Sequence, residues 1–225
     1  MRHWASTKLI CVRYNKHQPK TMNRVLQIIS NLFHPMTIMT YAALMVCFLT
    51  PVAILPISIR LLMIAEVFGY TCLIPFVACL LLYKFKYIKD WKLRDRKERF
   101  VPLIISILCF MVCTFSLSNH RILPLWAMLP FYGSIIITFI ALCVSFWWKI
   151  SGHALGVSSL MTMAWSYYFM FQGSFMPLFV PLSLLILLGL ICSIRVYFGR
   201  HTLPQVYVGS AVGIAVTLIV FSLIR

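Results

Sequence analysis

Three short polar stretches carry the residue types with which proteins handle phosphate. They are Lys92-Leu-Arg-Asp-Arg-Lys-Glu-Arg99, Lys149-Ile-Ser-Gly-His153, and Arg195 followed by Arg200-His201 and Gln205. Arginine offers phosphoryl oxygens a planar fork of donors, and lysine offers a compact point charge. Imidazole titrates nearest to neutral pH, so His153 and His201 are candidates to attack phosphorus or to pass a proton. Ser151 stands directly before an apolar run, as an N-cap does, which would turn the backbone N–H groups of Gly152 and His153 toward an anion. Thr202 ahead of Leu203-Pro204 has the same form, a cap followed by a proline near the helix start. With a helix beginning there, Gln205 lies one turn beyond His201, where its amide oxygen can accept from the ring and fix the tautomer.

These stretches are far apart in the chain, so apolar elements must bring them together. The 225 residues are 62% hydrophobic, with a mean hydropathy of +0.94, and the charges gather in a few clusters instead of lining amphipathic faces. That composition is the mark of a polytopic membrane protein. A bilayer core about 30 Å thick needs about 20 apolar residues in a helix. Apolar runs occupy residues 35–56, 60–83, 101–118, 124–147, 154–172, 176–193 and 205–223. The first two form one stretch too long for a single span, with Pro51 and Pro56 marking the turn. The runs do not alternate, which disfavours a closed strand barrel. The expected fold class is all-α, a polytopic transmembrane helical bundle of about six to seven spans. Residues 1–34 form a basic tail with a surface helix around Val25–Phe33, to which no chemistry is assigned, and residues 35–225 form the transmembrane domain. With seven spans, the tail, the connector 84–99, Trp148–His153 and Ile194–Pro204 all fall on one face, where the three stretches can assemble a site.

In this order the motifs resemble those of the phosphatidic acid phosphatase type 2 superfamily of membrane lipid phosphatases. Its three signatures are lysine, six residues, arginine-proline; proline-serine-glycine-histidine; and serine-arginine, five residues, histidine, three residues, aspartate. Lys92 and Arg99 keep the first spacing, with the proline arriving at Pro102. Ile150-Ser151-Gly152-His153 lacks only the proline of the second. Arg195 and His201 keep the third spacing, with Ser193 displaced by one and Gln205 where the superfamily has aspartate. The resemblance covers residues 84–213. It implies that His201 is the nucleophile, that His153 protonates the leaving alcohol and then activates water, and that Lys92, Arg99, Ser151, Gly152 and Arg195 hold the phosphate. It further implies a phosphorylated lipid as substrate and no cofactor.

The remaining features have plainer readings. Eight cysteines, at 11, 47, 72, 79, 109, 113, 143 and 192, form no CxxC pair and read mostly as buried free thiols. Scattered histidines and only four acidic residues leave no metal cage in view. Lys149 after Trp147-Trp148 has the look of an interfacial belt, and Arg200 of a headgroup anchor. Glu66 lies inside an apolar run and is on that ground a functional candidate, though no signature includes it. Gly209 and Gly213 are spaced for close helix packing. His3, His17, His34 and His120 have no evident partner. No cleavable leader is recognisable in residues 1–33.

The expected activity is therefore metal-independent removal of phosphate from a lipid phosphomonoester or an isoprenoid diphosphate through a phosphohistidine. The expected partners are membrane lipids, not nucleic acid, despite a formal charge of +16. Two other readings stand beside it. One is a catalytically weak or inactive lipid-phosphate binder, suggested by Gln205 and Ile150, and the other a small transporter, suggested by span number and Glu66. Basic residues are concentrated on the motif face, so the positive-inside rule puts that face in the cytoplasm, with the bacterial inner membrane as the expected location.

Overall fold

Prolines and capping residues set the helix boundaries. In the computed structural model, residues 20–87 and 99–224 are described, and among them all regular structure is helical. The helices are α1 (Lys20–Leu32), α2 (Pro35–Phe48), α3 (Ile57–Lys84), α4 (Phe100–Asn119), α5 (Leu125–Ser145), α6 (Gly152–Met170), α7 (Phe179–Tyr197) and α8 (Leu203–Ser222). The expected break at Pro51 and Pro56 is a short 3₁₀ turn over Pro51–Ile54, with the Thr50 hydroxyl accepting from Val52 N–H at 3.3 Å. Within α3 the backbone widens to a π turn at Gly69–Leu73, just before Pro75, whose ring would crowd the carbonyl one turn back.

The surface helix expected near Val25–Phe33 is α1. Its exposed Met22, Val25, Ile28 and Leu32 recur every three or four residues along one side, the pattern of a helix lying in the membrane interface. It meets α2 at a bend of 62°. Thr37 and Tyr41 donate their hydroxyls to the Leu32 carbonyl at 2.8 and 3.1 Å, and Tyr197 of α7 donates to Asn23 at 3.2 Å. The helix is thereby pinned over the motif end of the bundle.

Five helices, α3, α4, α5, α7 and α8, are each long and apolar enough to cross a membrane, and α1 with α2 qualifies only as a bent pair. Of the seven expected spans, those over α2 and α6 do not qualify alone. The reason for α6 is its position: it packs against α2, α5, α7 and α8 and is buried from His153 to Tyr167 along most of its length. A helix surrounded by protein has no lipid to face, so it can carry Ser158, Ser159, Thr162 and Ser166, whose hydroxyls bond back to carbonyls of α6 itself. Large apolar side chains instead cover the outside of the bundle, among them Leu62, Phe115, Phe139, Ile186, Tyr207 and Ile219. Such a girdle suits a hydrocarbon surround. The chain is a polytopic helical membrane protein.

The spacing of Gly209 and Gly213 sets a close contact between α6 and α8. A Cβ at Gly213 would stand 2.5 Å from the Leu155 carbonyl oxygen, and one at Gly209 would stand 2.9 Å from that of Ser151. Only glycine lets α8 lie so close to α6, and this approach brings the start of α8 beside the start of α6.

Candidate active site

The five-residue interval between Arg195 and His201 is the length of a helix ending. Arg195 lies in the last turn of α7, and Gly199 takes φ +61. Gly199 N–H bonds to the Val196 carbonyl at 2.9 Å and Arg200 N–H to the Arg195 carbonyl at 3.1 Å, the paired bonds of a Schellman ending. The chain then turns back, so His201 N–H also reaches the Arg195 carbonyl, at 3.3 Å. Thr202 caps α8 in a capping box with Gln205. Because Thr202 N–H donates to Gln205 Oε1 at 3.2 Å, the amide atom on that side is the oxygen. The same oxygen lies 3.2 Å from His201 Nδ1, and an amide oxygen only accepts, so Nδ1 carries the proton and Nε2 its lone pair. The tautomer expected from the sequence is thus built into the helix cap.

The start of α6 meets this corner directly. Ser151 N–H donates to the Gln205 carbonyl at 3.2 Å, and the Ser151 hydroxyl accepts from Ala154 N–H at 3.5 Å, as expected of an N-cap. Ser151 does not itself bind in the cavity: it is fully buried behind the wall, and its part is to aim Gly152 and His153. Their N–H groups, first in the helix, have no intrahelical acceptor. Arg99, the residue before α4, donates Nη1 to the Ile150 carbonyl at 3.4 Å, so the position lacking the family proline still serves as an anchor. His153 and His201 are buried, with 8% and 5% of their surface exposed.

Two participants have no signal in the sequence pattern. His34 N-caps α2, its Nδ1 accepting from Met36 N–H at 3.4 Å, which leaves Nε2 as the protonated nitrogen of the neutral ring. Its ring stands edge-on to that of His153 at a centroid distance of 5.3 Å. Ser30, buried at the end of α1, accepts from Arg195 Nη1 at 3.4 Å through its hydroxyl and is a backbone hydrogen-bond partner of His153. The basic tail therefore reaches the site through Ser30 and, at the bend, His34, contrary to the expectation that residues 1–34 carry no chemistry.

The electrostatics are those of a cationic pocket. Burial, then the charges of Arg195, Arg99 and Lys149, push His201 down to about 3, and the Gln205 hydrogen bond opposes them. The ring is neutral at physiological pH. Burial also lowers Arg99. Among the described residues the buried Arg195 Nε has no hydrogen-bond partner, a costly state for a guanidinium N–H.

One cavity of about 270 Å³ opens onto His34, Arg99, Gly152, His153, Arg195 and His201 and continues between α2, α4, α5, α6 and α8. Gln205 stands behind His201. Lys92 lies outside the described residues. Ser193 is exposed and donates to the Gly189 carbonyl, away from the cavity. Arg200 is half-buried and outside the lining. Glu66 is at the other end of the bundle, 3.2 Å from His120 Nε2, so His120 does have a partner and the pair ties α3 to the end of α4. Among the described residues no group of three histidine, cysteine, aspartate or glutamate side chains is placed to hold a metal.

Fold and pocket together define a helical membrane protein with a buried, cationic, imidazole-lined cavity. No family model, curated protein or solved structure matches the chain.

Proposed function

We propose that the protein is a membrane-embedded phosphatase acting on a lipid phosphomonoester or isoprenoid diphosphate, on the pattern of the superfamily its motifs resemble. The observation that carries the reading is the meeting of two buried imidazoles, one fixed with its Nε2 lone pair free, with the half-buried Arg195, whose buried Nε has no partner among the described residues. A phosphoryl group supplies the missing acceptor and the electrophile together.

In the first step the His201 Nε2 lone pair attacks phosphorus. The N–P bond forms as the bond from phosphorus to the leaving oxygen breaks. An alcohol leaving group takes a proton from protonated His153. In the second step His153, now neutral, removes a proton from water; the water oxygen bonds to phosphorus, and the N–P bond returns its electrons to Nε2. Arg195, Arg99 and the first N–H groups of α6 neutralise the equatorial oxygens throughout. Binding of the dianion favours protonated His153, against the burial and the Arg195 charge that disfavour it.

Gln205 favours a second reading, binding without efficient turnover, because a neutral amide orients His201 but cannot offset the positive charge that develops on it. Phosphate release by detergent-purified protein from phosphatidic acid, phosphatidylglycerophosphate and an isoprenyl diphosphate decides between them. Sustained release supports the phosphatase; saturable binding with no release supports the second reading.

The charge bias supports a cytoplasmic pocket in this reading. Counted on the seven-span reading of the sequence, with the proposed phosphate ligands and Lys149 and Arg200 set aside, the expected motif face carries twelve basic residues against Arg60, Arg121 and Arg225 on the other.

A further inference from the structure

The cavity does not end at the imidazoles. Along α5 its lining runs from Ser145 at the motif end to Leu129, a rise of about 24 Å. On α8 it reaches Phe221, in the last turn before Ser222, from His201 at the opposite end. A volume of about 270 Å³ drawn out over that length is long and narrow, the shape of an extended hydrocarbon chain.

Its chemistry changes with depth. Every arginine and histidine of the lining lies at the mouth: His34, Arg99, His153, Arg195 and His201. Below them the wall is apolar apart from six hydroxyls, and all but that of Thr217 are committed within their own helices. Ser106, Ser134, Thr138, Ser145 and Ser159 each donate to a carbonyl of their own helix, at 2.6 to 2.8 Å. A conduit for ions or water needs polar groups turned inward. This wall instead turns its methylene and methyl surface inward.

We infer that the protein takes single-chain phosphorylated lipids, with the phosphate at the mouth and the one chain threaded through the interior of the bundle, and that it discriminates against two-chain phosphatidates. The inference rests on the proposed phosphate site but concerns the chain, and chain length is its readout. Each methylene drawn from water into such a wall strengthens binding until the chain meets an obstruction.

The test uses butyl-, octyl- and hexadecylphosphonate, whose carbon–phosphorus bond is not hydrolysed, with affinities read by isothermal calorimetry on the intact protein in a short-chain detergent. Wild-type affinity should rise with chain length and exceed that for a dialkyl phosphatidate analogue at least tenfold. Gly133 lies on α5, about 18 Å below Ser145, with the Val220 methyls 3.9 Å from where its Cβ would stand. Gly133→Leu should reduce hexadecylphosphonate affinity at least tenfold and leave butylphosphonate unchanged. Ala141→Phe, about 6 Å below Ser145, should also reduce octylphosphonate affinity. Ser134→Leu is a second deep obstruction, used if thermal unfolding shows that Gly133→Leu does not fold. Equal affinity for one-chain and two-chain ligands, or obstructions that change every chain length alike or none, would overturn the inference. Chain-dependent binding with no phosphate release from any ester would leave it standing and defeat the phosphatase reading instead.

Discussion

Gln205 holds two donors with one oxygen, the Thr202 N–H and the His201 Nδ1–H, and this decides which substitution is informative. Aspartate, the superfamily residue, is one methylene shorter and would give up the capping box. Glutamate is isosteric and keeps it. Gln205→Glu should keep both bonds while raising the His201 pKa, because a carboxylate favours the imidazolium. The acid limb of kcat/KM should therefore move to higher pH by at least about one unit, with kcat raised as the developing charge is offset; an unmoved limb would show that His201 is not the group titrating. The same pKa gives a stability signature. In the fold His201 is held at about 3, against 6.5 for a free imidazole, so between those values the unfolded chain binds the additional proton. Stability should be constant above about pH 6.5 and fall as pH drops toward 3. Thermal unfolding followed from about pH 8 to about pH 5 should show that slope in the wild type and a shallower one in His201→Asn. His34→Ala should weaken phosphate binding by removing an Nε2–H donor at the mouth, raising KM more than it lowers kcat. A reverse split would assign His34 to the chemical step.

At the scale of elements, the site depends on how closely α8 approaches α6. Gly213→Ala puts a methyl group against the Leu155 carbonyl and should cost about 1–3 kcal/mol, visible as a lower unfolding temperature. It should also lower phosphate release by separating His201 from His153. Gly189→Ala on α7, with open space around it, is the matched control and should change neither. The elements were largely legible in the sequence because their signals are local: a serine or threonine before an apolar run, a proline in the first turn, glycines four apart, a glutamine one turn after a histidine. The misses were of another kind. His34 meets His153, 119 positions further along the chain, through the fold rather than a pattern, and Glu66 meets His120 in the same way; nothing in the neighbourhood of any of these residues encodes a distant partner. The polar residues of α6 lowered its hydropathy because it is the helix that the others surround.

For the whole molecule, the proposed function joins a surface helix, a cationic end and a narrow apolar interior into one device for presenting a lipid phosphate to a fixed imidazole. If the proposed cytoplasmic orientation holds, a single cysteine at Lys89, outside the described residues, in a cysteine-free variant should resist a membrane-impermeant thiol reagent in intact cells and react after permeabilisation. Labelling in intact cells would put the site on the outer side. Chelation by EDTA should leave phosphate release unchanged, since arginine, lysine and backbone N–H groups carry the charge stabilisation; a loss restored by Mg²⁺ would contradict that assignment. The central claim is that His201 itself becomes phosphorylated. Rapid quenching of the purified protein at high pH, after mixing with a phosphate-labelled lipid phosphomonoester, followed by peptide mass spectrometry, tests it most directly. The account predicts an acid-labile, alkali-stable phosphoryl group on His201 that is absent from His201→Ala and accumulates in His153→Ala when the leaving group is an aryl alcohol. Phosphate release at the wild-type rate by folded His201→Ala, or a phosphoryl group on another residue, would contradict it.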